Sequence, residues 1–239
     1  MQHGKPQFGI DAPGVVLTLA LIGIGLFVAT AISLWVGRPD LASMTFSPAC
    51  STLLGSLLIV LTSVVGKPFV VRRMIGELKL HGDEEVLDVG CGRGLLLLEA
   101  ARQLPQGRAT GLDLWSTRDQ SGNAAEVTRR NAALAGVTDR VQIDTGDMRQ
   151  MPYPDATFDV IISSLAIHNL PTTADREQAV REIARVLKPG GRIALLDFRC
   201  TGTYVRTLRA SGLGNARRSW PNFMMFPWVW IVRAGNNPV

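Results

Sequence analysis

The chain has 239 residues, of which 46% are hydrophobic and 19% charged, and its formal net charge is +5 at pH 7. This composition is too apolar and too lightly charged for a disordered chain, and the length allows one large domain or a domain with an attachment. The three cysteines and three histidines are far apart, which excludes a disulfide framework and leaves no metal-ligand spacing.

The first 66 residues predict a membrane hairpin. An uncharged run between Asp11 and Arg38 is long enough to cross a hydrocarbon core, which takes about 20 apolar residues, and a second uncharged run ends at Lys67. We expect the two spans at about residues 14–36 and 49–66. Small residues that would let the two helices approach closely are Gly23, Gly25, Gly55, Ser56 and Ser63.

A cleaved signal peptide is the alternative for the first run, but its apolar region would be only about 7 to 15 residues long after a basic start. Basic residues cluster directly after the second run, whereas the loop between the runs carries one arginine and one aspartate. The positive-inside bias therefore predicts an integral membrane protein with both termini and the folded domain in the cytoplasm.

Residues 67–80 are interpreted as a polar, partly helical connector, and residues 81–239 as a folded domain. Strands alternate there with helices, which predicts a largely parallel α/β sheet covered on both faces. The expected strands are 85–89, 109–114, 140–144, 158–163 and 192–198, and the expected helices are 95–104, 123–135, 174–187 and 205–210. The tail between about 215 and 234 could add two final strands.

A glycine-rich loop, residues 88–94 with the sequence DVGCGRG, follows the first strand. In parallel sheets, ligands bind beyond the carboxyl ends of the strands, close to the point where strand order reverses. Glycines there let the backbone approach a ligand closely. A dinucleotide fingerprint would need a third glycine at position 95, which is Leu95. The acid Asp88, two residues before Gly90, instead favours a ligand with a positive ammonium group.

Acidic residues also follow the next two strands. Asp113 could accept hydrogen bonds from both hydroxyls of a ribose, and Asp147 with Met148 could hold the amine and the ring of an adenine. Each acid alone could equally be a helix cap or a loop residue, but together and in this order they favour a nucleoside-linked cofactor. His168, after the fourth strand, is a candidate base for a substrate proton, or a histidine satisfied by its own loop.

Five segments resemble the successive motifs of class I S-adenosylmethionine-dependent methyltransferases, in the small-molecule branch of the ubiquinone/menaquinone type. These segments are VLDVGCGRG (86–94), GLD (111–113), GDM (146–148), FDVI (158–161) and LKPGG (187–191). The resemblance covers residues 80 to about 200, and neither the hairpin nor the tail. It implies a Rossmann-like seven-stranded sheet whose last strand is antiparallel, and S-adenosyl-L-methionine as cofactor. The cofactor-binding residues that it implies are Asp88, Gly90, Cys91, Gly92, Gly94, Asp113, Leu114, Asp147, Met148 and Ser163.

The leading hypothesis is methyl transfer to a lipophilic small molecule or lipid at the cytoplasmic face of a membrane, with His168 as the candidate base and no metal. A non-catalytic membrane scaffold that binds S-adenosylmethionine is the alternative. A nicotinamide oxidoreductase is disfavoured by Leu95, and only the arginine-rich tail favours a nucleic acid partner. The aromatic tail suggests that Phe223, Met224 and Phe226 border an acceptor entrance facing the membrane.

Overall fold

The computed structural model describes residues 5–10, 12–116 and 123–235, and it opens with two long antiparallel helices. Helix α1 spans Pro13–Trp35 and helix α2 spans Pro39–Leu61. By length and composition α1 and the continuous helical run Pro39–Leu78 could each cross a membrane, with mean hydropathies of 2.6 and 2.0, and few residues of their apolar parts are buried. The second helix begins ten residues before the expected span because Pro39 occupies its first turn, where a missing N–H costs nothing.

Small residues do bring the two helices together, as expected, at two of the five positions. A Cβ on Gly23 would lie 2.6 Å from Leu53 Cγ, so a larger residue would push the helices apart. The Ser56 hydroxyl donates a hydrogen bond of 3.1 Å to the Val16 carbonyl across the contact. Gly25, in contrast, faces open space and makes no helix contact of this kind.

Helix α2 runs through a π-helical turn, Thr62–Gly66, directly into helix α3, Lys67–Leu78. The segment interpreted as a polar connector is thus an amphipathic helix whose apolar side belongs to the main core. Its buried residues are Val70, Val71, Met74, Ile75 and Leu78. Since this helix both continues the hairpin and packs on the sheet, it joins the hairpin rigidly to the domain.

The domain contains the expected seven-stranded sheet. Its strands are β1 (Glu85–Val89), β2 (Arg108–Asp113), β3 (Val141–Thr145), β4 (Phe158–Ser164), β5 (Leu187–Asp197), β6 (Arg217–Arg218) and β7 (Trp230–Gly235). The strand order is β3-β2-β1-β4-β5-β7-β6. Strands β1 to β5 are parallel, and β7 pairs antiparallel with β5 and with β6. The two tail strands and the antiparallel last strand are therefore confirmed.

Helices cover both faces of the sheet. The remaining helices are α4 (Leu95–Ala101), α5 (Ala125–Ala135), α6 (Thr173–Val186) and α7 (Thr201–Ala210). One core cluster joins the sheet to α3, α4 and α5, and the other joins it to α6 and α7. Along β1, Val86 belongs to the first cluster, and Leu87 and Val89 belong to the second. Because side chains alternate along a strand, Asp88 lies on the same face as Val86, towards α3 and α4.

Within the domain, two boundaries differ from the expectations by four residues or more. Strand β5 begins at Leu187 instead of residue 192, because Leu187 pairs with Phe158 across an irregularity in the register with β4. The Pro-Gly-Gly stretch, residues 189–191, lies in this irregularity between the pairs of Leu187 and Arg192, with Gly190 at φ +80°. Helix α7 begins four residues earlier than expected, at Thr201, where packing of Tyr204 and Leu208 into the core stabilises the extra turn.

Candidate cofactor and acceptor site

A cavity lies at the carboxyl ends of β1, β2 and β4, where the strand order reverses. This is the position at which open α/β sheets bind ligands. The cavity brings together seven of the residues implied by the sequence: Asp88, Gly90, Cys91, Gly92, Asp113, Leu114 and Met148. These side chains come from three separate loops, so the cavity exists only in the folded sheet.

The glycine loop forms the floor of this cavity. Gly90 and Gly92 have φ values of +74° and +50°, which L-residues rarely adopt. A Cβ on Gly90 would overlap the Cβ of Ala166, so the backbones approach too closely for any side chain. The Leu112 carbonyl accepts hydrogen bonds from the N–H groups of Gly90 and Cys91, at 2.8 and 3.2 Å, and ties the loop to β2.

Asp88 is the most deeply buried acidic residue of the cavity. Its side chain is 1% exposed, and neither carboxylate oxygen accepts a hydrogen bond of normal geometry from the residues that the structure describes, although the Leu97 N–H is near enough to lower the pKa of Asp88. Burial, reinforced by the negative charge of Asp113, raises the pKa of Asp88 to about 8. A buried carboxylate without a partner is costly, since it has lost its water without gaining hydrogen bonds. Such a group is suited to a cationic ligand that donates hydrogen bonds.

Asp113 is held by the surrounding loops. Its Oδ2 accepts a hydrogen bond of 2.8 Å from the Gly92 N–H, and its Oδ1 accepts bonds from the Trp115 N–H at 2.7 Å and from Asn123 Nδ2 at 3.2 Å. These bonds fix the carboxylate at the cavity wall, next to Leu114. These three bonds use three of the roughly four acceptor positions of a carboxylate and leave about one, on Oδ2, for a ligand. The ribose role expected for Asp113 therefore stays a prediction.

Met148 lines the cavity, but the neighbouring Asp147 is not among its lining residues. The Asp147 carboxylate pairs with Arg149, with an Oδ2–Nη2 distance of 2.6 Å. This guanidinium, which also pairs with Asp175 at 2.9 Å, holds the pKa of Asp147 below its usual value. In this structure Asp147 helps to fix the loop that places Met148, and its expected contact with an adenine amine remains a prediction.

Two other implied residues, Gly94 and Ser163, support the site from outside its lining. Gly94, at φ +86°, begins helix α4 and packs against Thr128. The Ser163 hydroxyl is buried and donates a hydrogen bond of 2.7 Å to the Val89 carbonyl, which links β4 to β1. Cys91 lies in the lining, and burial together with nearby acids raises the pKa of its thiol well above its usual value, which does not favour a nucleophile.

His168, the expected base, also lies outside the described lining of the cavity. The ring is buried, with Nδ1 2.8 Å from Asp197 Oδ1, and it meets the Phe198 ring edge-on at 4.5 Å. The Tyr204 hydroxyl donates a hydrogen bond of 2.9 Å to the other oxygen of Asp197. The structure thus places His168 in a buried polar group that joins the β4 loop to β5 and α7.

The sequence analysis missed cavity residues from the N-terminal region, namely Phe8, Gly9, Ser63, Lys67 and Val71. Ser63 and Lys67 lie one helical turn apart where α2 passes into α3. The positive charge of Lys67 favours the ionised form of Asp88, which opposes the effect of burial. No local motif marks these residues, because they reach the cavity only through the packing of the hairpin end on the domain.

The N-terminal segment, residues 5–10, is held over the glycine loop. The Gln7 N–H donates to Asn131 Oδ1, and Asn131 Nδ2 donates to the Gln7 carbonyl, both at 3.0 Å. Asn131 Nδ2 also donates to the Arg93 carbonyl at 2.9 Å, so one buried amide joins the segment to the loop. Phe8 packs against the core and adds an aromatic wall to the cavity.

This combination of fold and site defines a class of protein. The seven-stranded sheet with an antiparallel last strand is the one expected for class I methyltransferases. The glycine loop offers a cradle with no room for side chains, and the unpartnered Asp88 carboxylate matches a ligand ammonium. Asp113 and the apolar side chains of Leu114 and Met148 complete a site that fits S-adenosylmethionine.

Comparison with known proteins supports the same class. Residues 87–195 match the family described as "Methyltransferase domain". Over 128 residues the chain is 41% identical to the 27-O-demethylrifamycin SV methyltransferase of Amycolatopsis mediterranei. This alignment covers 53% of this chain and 43% of that protein. It is 35% identical over 127 residues to the demethylmenaquinone methyltransferase of Symbiobacterium thermophilum, covering 53% of this chain and 47% of that protein.

The chain thus spans about half the length of these curated relatives. The crystal structure of an S-adenosylmethionine-dependent methyltransferase from Aquifex aeolicus has the same fold, with a TM-score of 0.54, 19% identity, and coverage of 69% of this chain and 88% of that one. The region that these comparisons share is a methyltransferase domain of the S-adenosylmethionine-dependent class, and S-adenosylmethionine is its cofactor.

Proposed function

We propose that this protein transfers the methyl group of S-adenosylmethionine to a lipophilic small molecule or lipid at the cytoplasmic face of a membrane. One observation carries the proposal: Ser63 and Lys67, at the end of an exposed apolar hairpin, line the same cavity as the glycine loop and Asp88. An acceptor dissolved in the bilayer would then meet the cofactor site without crossing water. The two relatives named above act, by their names, on a demethylated rifamycin and on demethylmenaquinone, and the second is a lipophilic quinone.

The cofactor supplies a methyl group on a positively charged sulfur, which is already activated for transfer. In the proposed site Asp88 binds the ammonium of its methionine end, Asp113 the ribose hydroxyls, and Met148 with Leu114 the adenine. Lys67 is suited to the methionine carboxylate, because it lines the same cavity as Asp88 and its charge already acts on that residue. An acid and a base in one cavity complement the two opposite charges on a single ligand carbon.

Binding of truncated ligands tests this assignment. Lys67→Gln should weaken S-adenosylhomocysteine binding by roughly tenfold or more, since a charge-assisted hydrogen bond contributes about 1.5 to 3 kcal/mol. The same substitution should leave binding of 5′-methylthioadenosine unchanged, because that molecule lacks the amino-acid end. Lys188→Gln, on the far end of the sheet where Lys188 pairs with Asp159, is the matched control. Equal weakening of both ligands by Lys67→Gln would show that Lys67 acts on the cavity in general and not on the carboxylate.

The acceptor would occupy the part of the cavity beyond the β4 strand. Ser164, Leu165, Ala166, Asn169 and Leu170 line that side. The buried Ser164 hydroxyl has no hydrogen-bond partner within the described part of the chain, so it is available to orient a polar atom of the acceptor. The role of these residues is to align the acceptor with the methyl group and to exclude water.

Transfer of a radiolabelled methyl group in vesicles tests the proposed acceptor class. The probes are a demethylated quinol with a long prenyl tail, and the same ring with its tail shortened to a methyl group. We expect faster transfer to the long-tailed quinol, because the bilayer concentrates it at the hairpin. Transfer only to the water-soluble ring would contradict a membrane-embedded acceptor. Tight binding of S-adenosylmethionine with no transfer to either probe or to extracted lipids would favour the alternative, a non-catalytic membrane scaffold.

The proposed topology has both termini and the domain in the cytoplasm. It is supported by the packing of residues 5–10 on the glycine loop, since two spanning helices return the chain to the side on which it began. In oriented vesicles, a cysteine placed at the exposed Arg129 and one at Lys5 should be labelled from the cytoplasmic side, and one at the exposed Arg38 from the opposite side. Labelling of all three from one side would show that the hairpin does not span.

A further inference from the structure

The segment from Trp220 to Trp228, called here the aromatic loop, leaves large apolar side chains exposed between β6 and β7. Trp220 is 91% exposed, Phe223 66% and Trp228 53%, and Met224 and Phe226 are also exposed. Soluble monomers rarely expose contiguous apolar patches of this kind unless they bind a partner or a membrane. The loop is nevertheless fixed in place, because Met225 is buried in the core and Asn222 pairs with Val229.

The aromatic loop adjoins the base of the hairpin. A Cβ on Gly66 would overlap the carbonyl oxygen of Met224, so the loop backbone rests directly on the turn between α2 and α3. Exposed apolar side chains of the hairpin continue up to this contact and include Leu61, Val64, Val65 and Phe69. Phe223, Met224 and Phe226 are not among the lining residues of the cavity, and their expected position at an acceptor entrance stays a prediction. They extend the exposed apolar surface of the hairpin.

Positive charge surrounds this apolar surface. Residues 199–239 contain six arginines and no acid. Arg217 and Arg218 on β6 are exposed beside the aromatic loop. Arg72 and Arg73 are largely exposed on α3, just beyond the hairpin, where they pair with Glu99 and Glu77. Exposed aromatic rings next to arginine are favoured where the headgroups of an anionic leaflet meet the hydrocarbon.

We propose that the aromatic loop is a membrane-docking surface that inserts Trp220, Phe223 and Trp228 into the headgroup region of an anionic leaflet at the base of the hairpin. The inference rests on the membrane part of the proposed function. Two attachments, the hairpin and the loop, hold the domain in one orientation, with the hairpin end of the cavity against the bilayer. The hairpin alone would let the whole protein tilt in the bilayer and carry the domain away from the membrane surface.

Fluorescence quenching by brominated lipids tests the docking surface in the full-length protein. Variants that keep one tryptophan, with the others changed to phenylalanine, report from Trp220 in the loop, Trp35 at the far end of α1, or Trp115 near the cavity. In phosphatidylglycerol vesicles, bromines near the headgroup should quench Trp220 strongly and Trp115 weakly. Quenching of Trp35 with none of Trp220 would overturn the docking surface and leave the spanning hairpin intact. Quenching of neither would overturn both, and with them the membrane part of the proposed function.

The arginines supply a second readout. Replacing phosphatidylcholine by phosphatidylglycerol should increase Trp220 quenching, and Arg217→Gln should reduce that increase by roughly half or more, since one arginine near an anionic surface contributes about 1 kcal/mol. Arg129→Gln, on the distant helix α5, is the matched control and should change nothing. A lipid-independent signal in all variants would contradict an anionic leaflet as the partner. Cross-linking of two copies through Trp220→Cys, together with no quenching of Trp220 in the protein that keeps it, would assign the surface to a dimer instead.

Discussion

Asp88→Asn provides a sharp test of the cofactor site, because the raised pKa of Asp88 gives the sign of its effect and its approximate size. With a pKa of about 8, only about a tenth of the empty sites carry a charged Asp88 at pH 7. A ligand ammonium requires the carboxylate, so binding at pH 7 includes about 1.4 kcal/mol for the loss of that proton. The affinity of the parent protein for S-adenosylhomocysteine should therefore rise about tenfold between pH 6 and 7, and level off above pH 8.

The substitution should remove this pH dependence and weaken binding at pH 8 by roughly 10- to 150-fold, equivalent to about 1.5 to 3 kcal/mol for a lost charge-assisted hydrogen bond. Isothermal titration calorimetry in two buffers with different ionisation enthalpies measures the affinity and the protons released. The parent protein should release close to one proton per ligand at pH 6.5, and the variant none.

Asp113→Asn is the control for charge at the same site. It should weaken binding but keep the dependence on pH, with the levelling point shifted to lower pH, because the negative charge of Asp113 contributes to the raised pKa of Asp88. If Asp88→Asn keeps the full slope, or if the parent protein binds equally well from pH 6 to 8, then Asp88 does not bind the ammonium and the reasoning fails.

Three further predictions follow from the same geometry. Without ligand, Asp88→Asn should raise the melting temperature at pH 8.5 but not at pH 4. Between these pH values the folded parent protein keeps a proton on Asp88 that the unfolded chain has released, so the stability of the parent falls as the pH rises to about 8. Gly90→Ala should lower the free energy of unfolding by about 1 to 3 kcal/mol in denaturant titrations, because Gly90 has a positive φ and an added Cβ would overlap Ala166. Unchanged stability would refute the close approach of Gly90 and Ala166. His168→Ala should destabilise the protein without changing cofactor affinity or the pH profile of turnover. A loss of turnover confined to acceptors with a dissociable proton would instead support His168 as the base.

Most of the fold could be read from the sequence, because its signals are local. The period of apolar residues marked the strands and helices, and the spacing of Asp88, Gly90 and Gly92 marked the ligand loop, since only glycine accepts those backbone angles beside a closely packed strand. The long uncharged runs also marked two helices, because an apolar run of that length is typical of a helix that crosses a membrane. Where pairing partners set the boundary, as at Leu187, the local pattern was wrong by a few residues.

The tertiary structure alone decided which marked residues share the cavity and which unmarked ones join them. Asp113 and Met148 line it, whereas Asp147 and His168 are engaged with Arg149 and Asp197. The direction of a side chain at the end of a strand depends on the residues that surround it in the folded protein. The spacing of residues in the sequence does not identify these neighbours. Phe8 and Lys67 reach the cavity only because the hairpin end and the N-terminal segment pack on the domain. Such contacts between distant segments are a property of the folded chain, and they connect the apolar hairpin to the cofactor site.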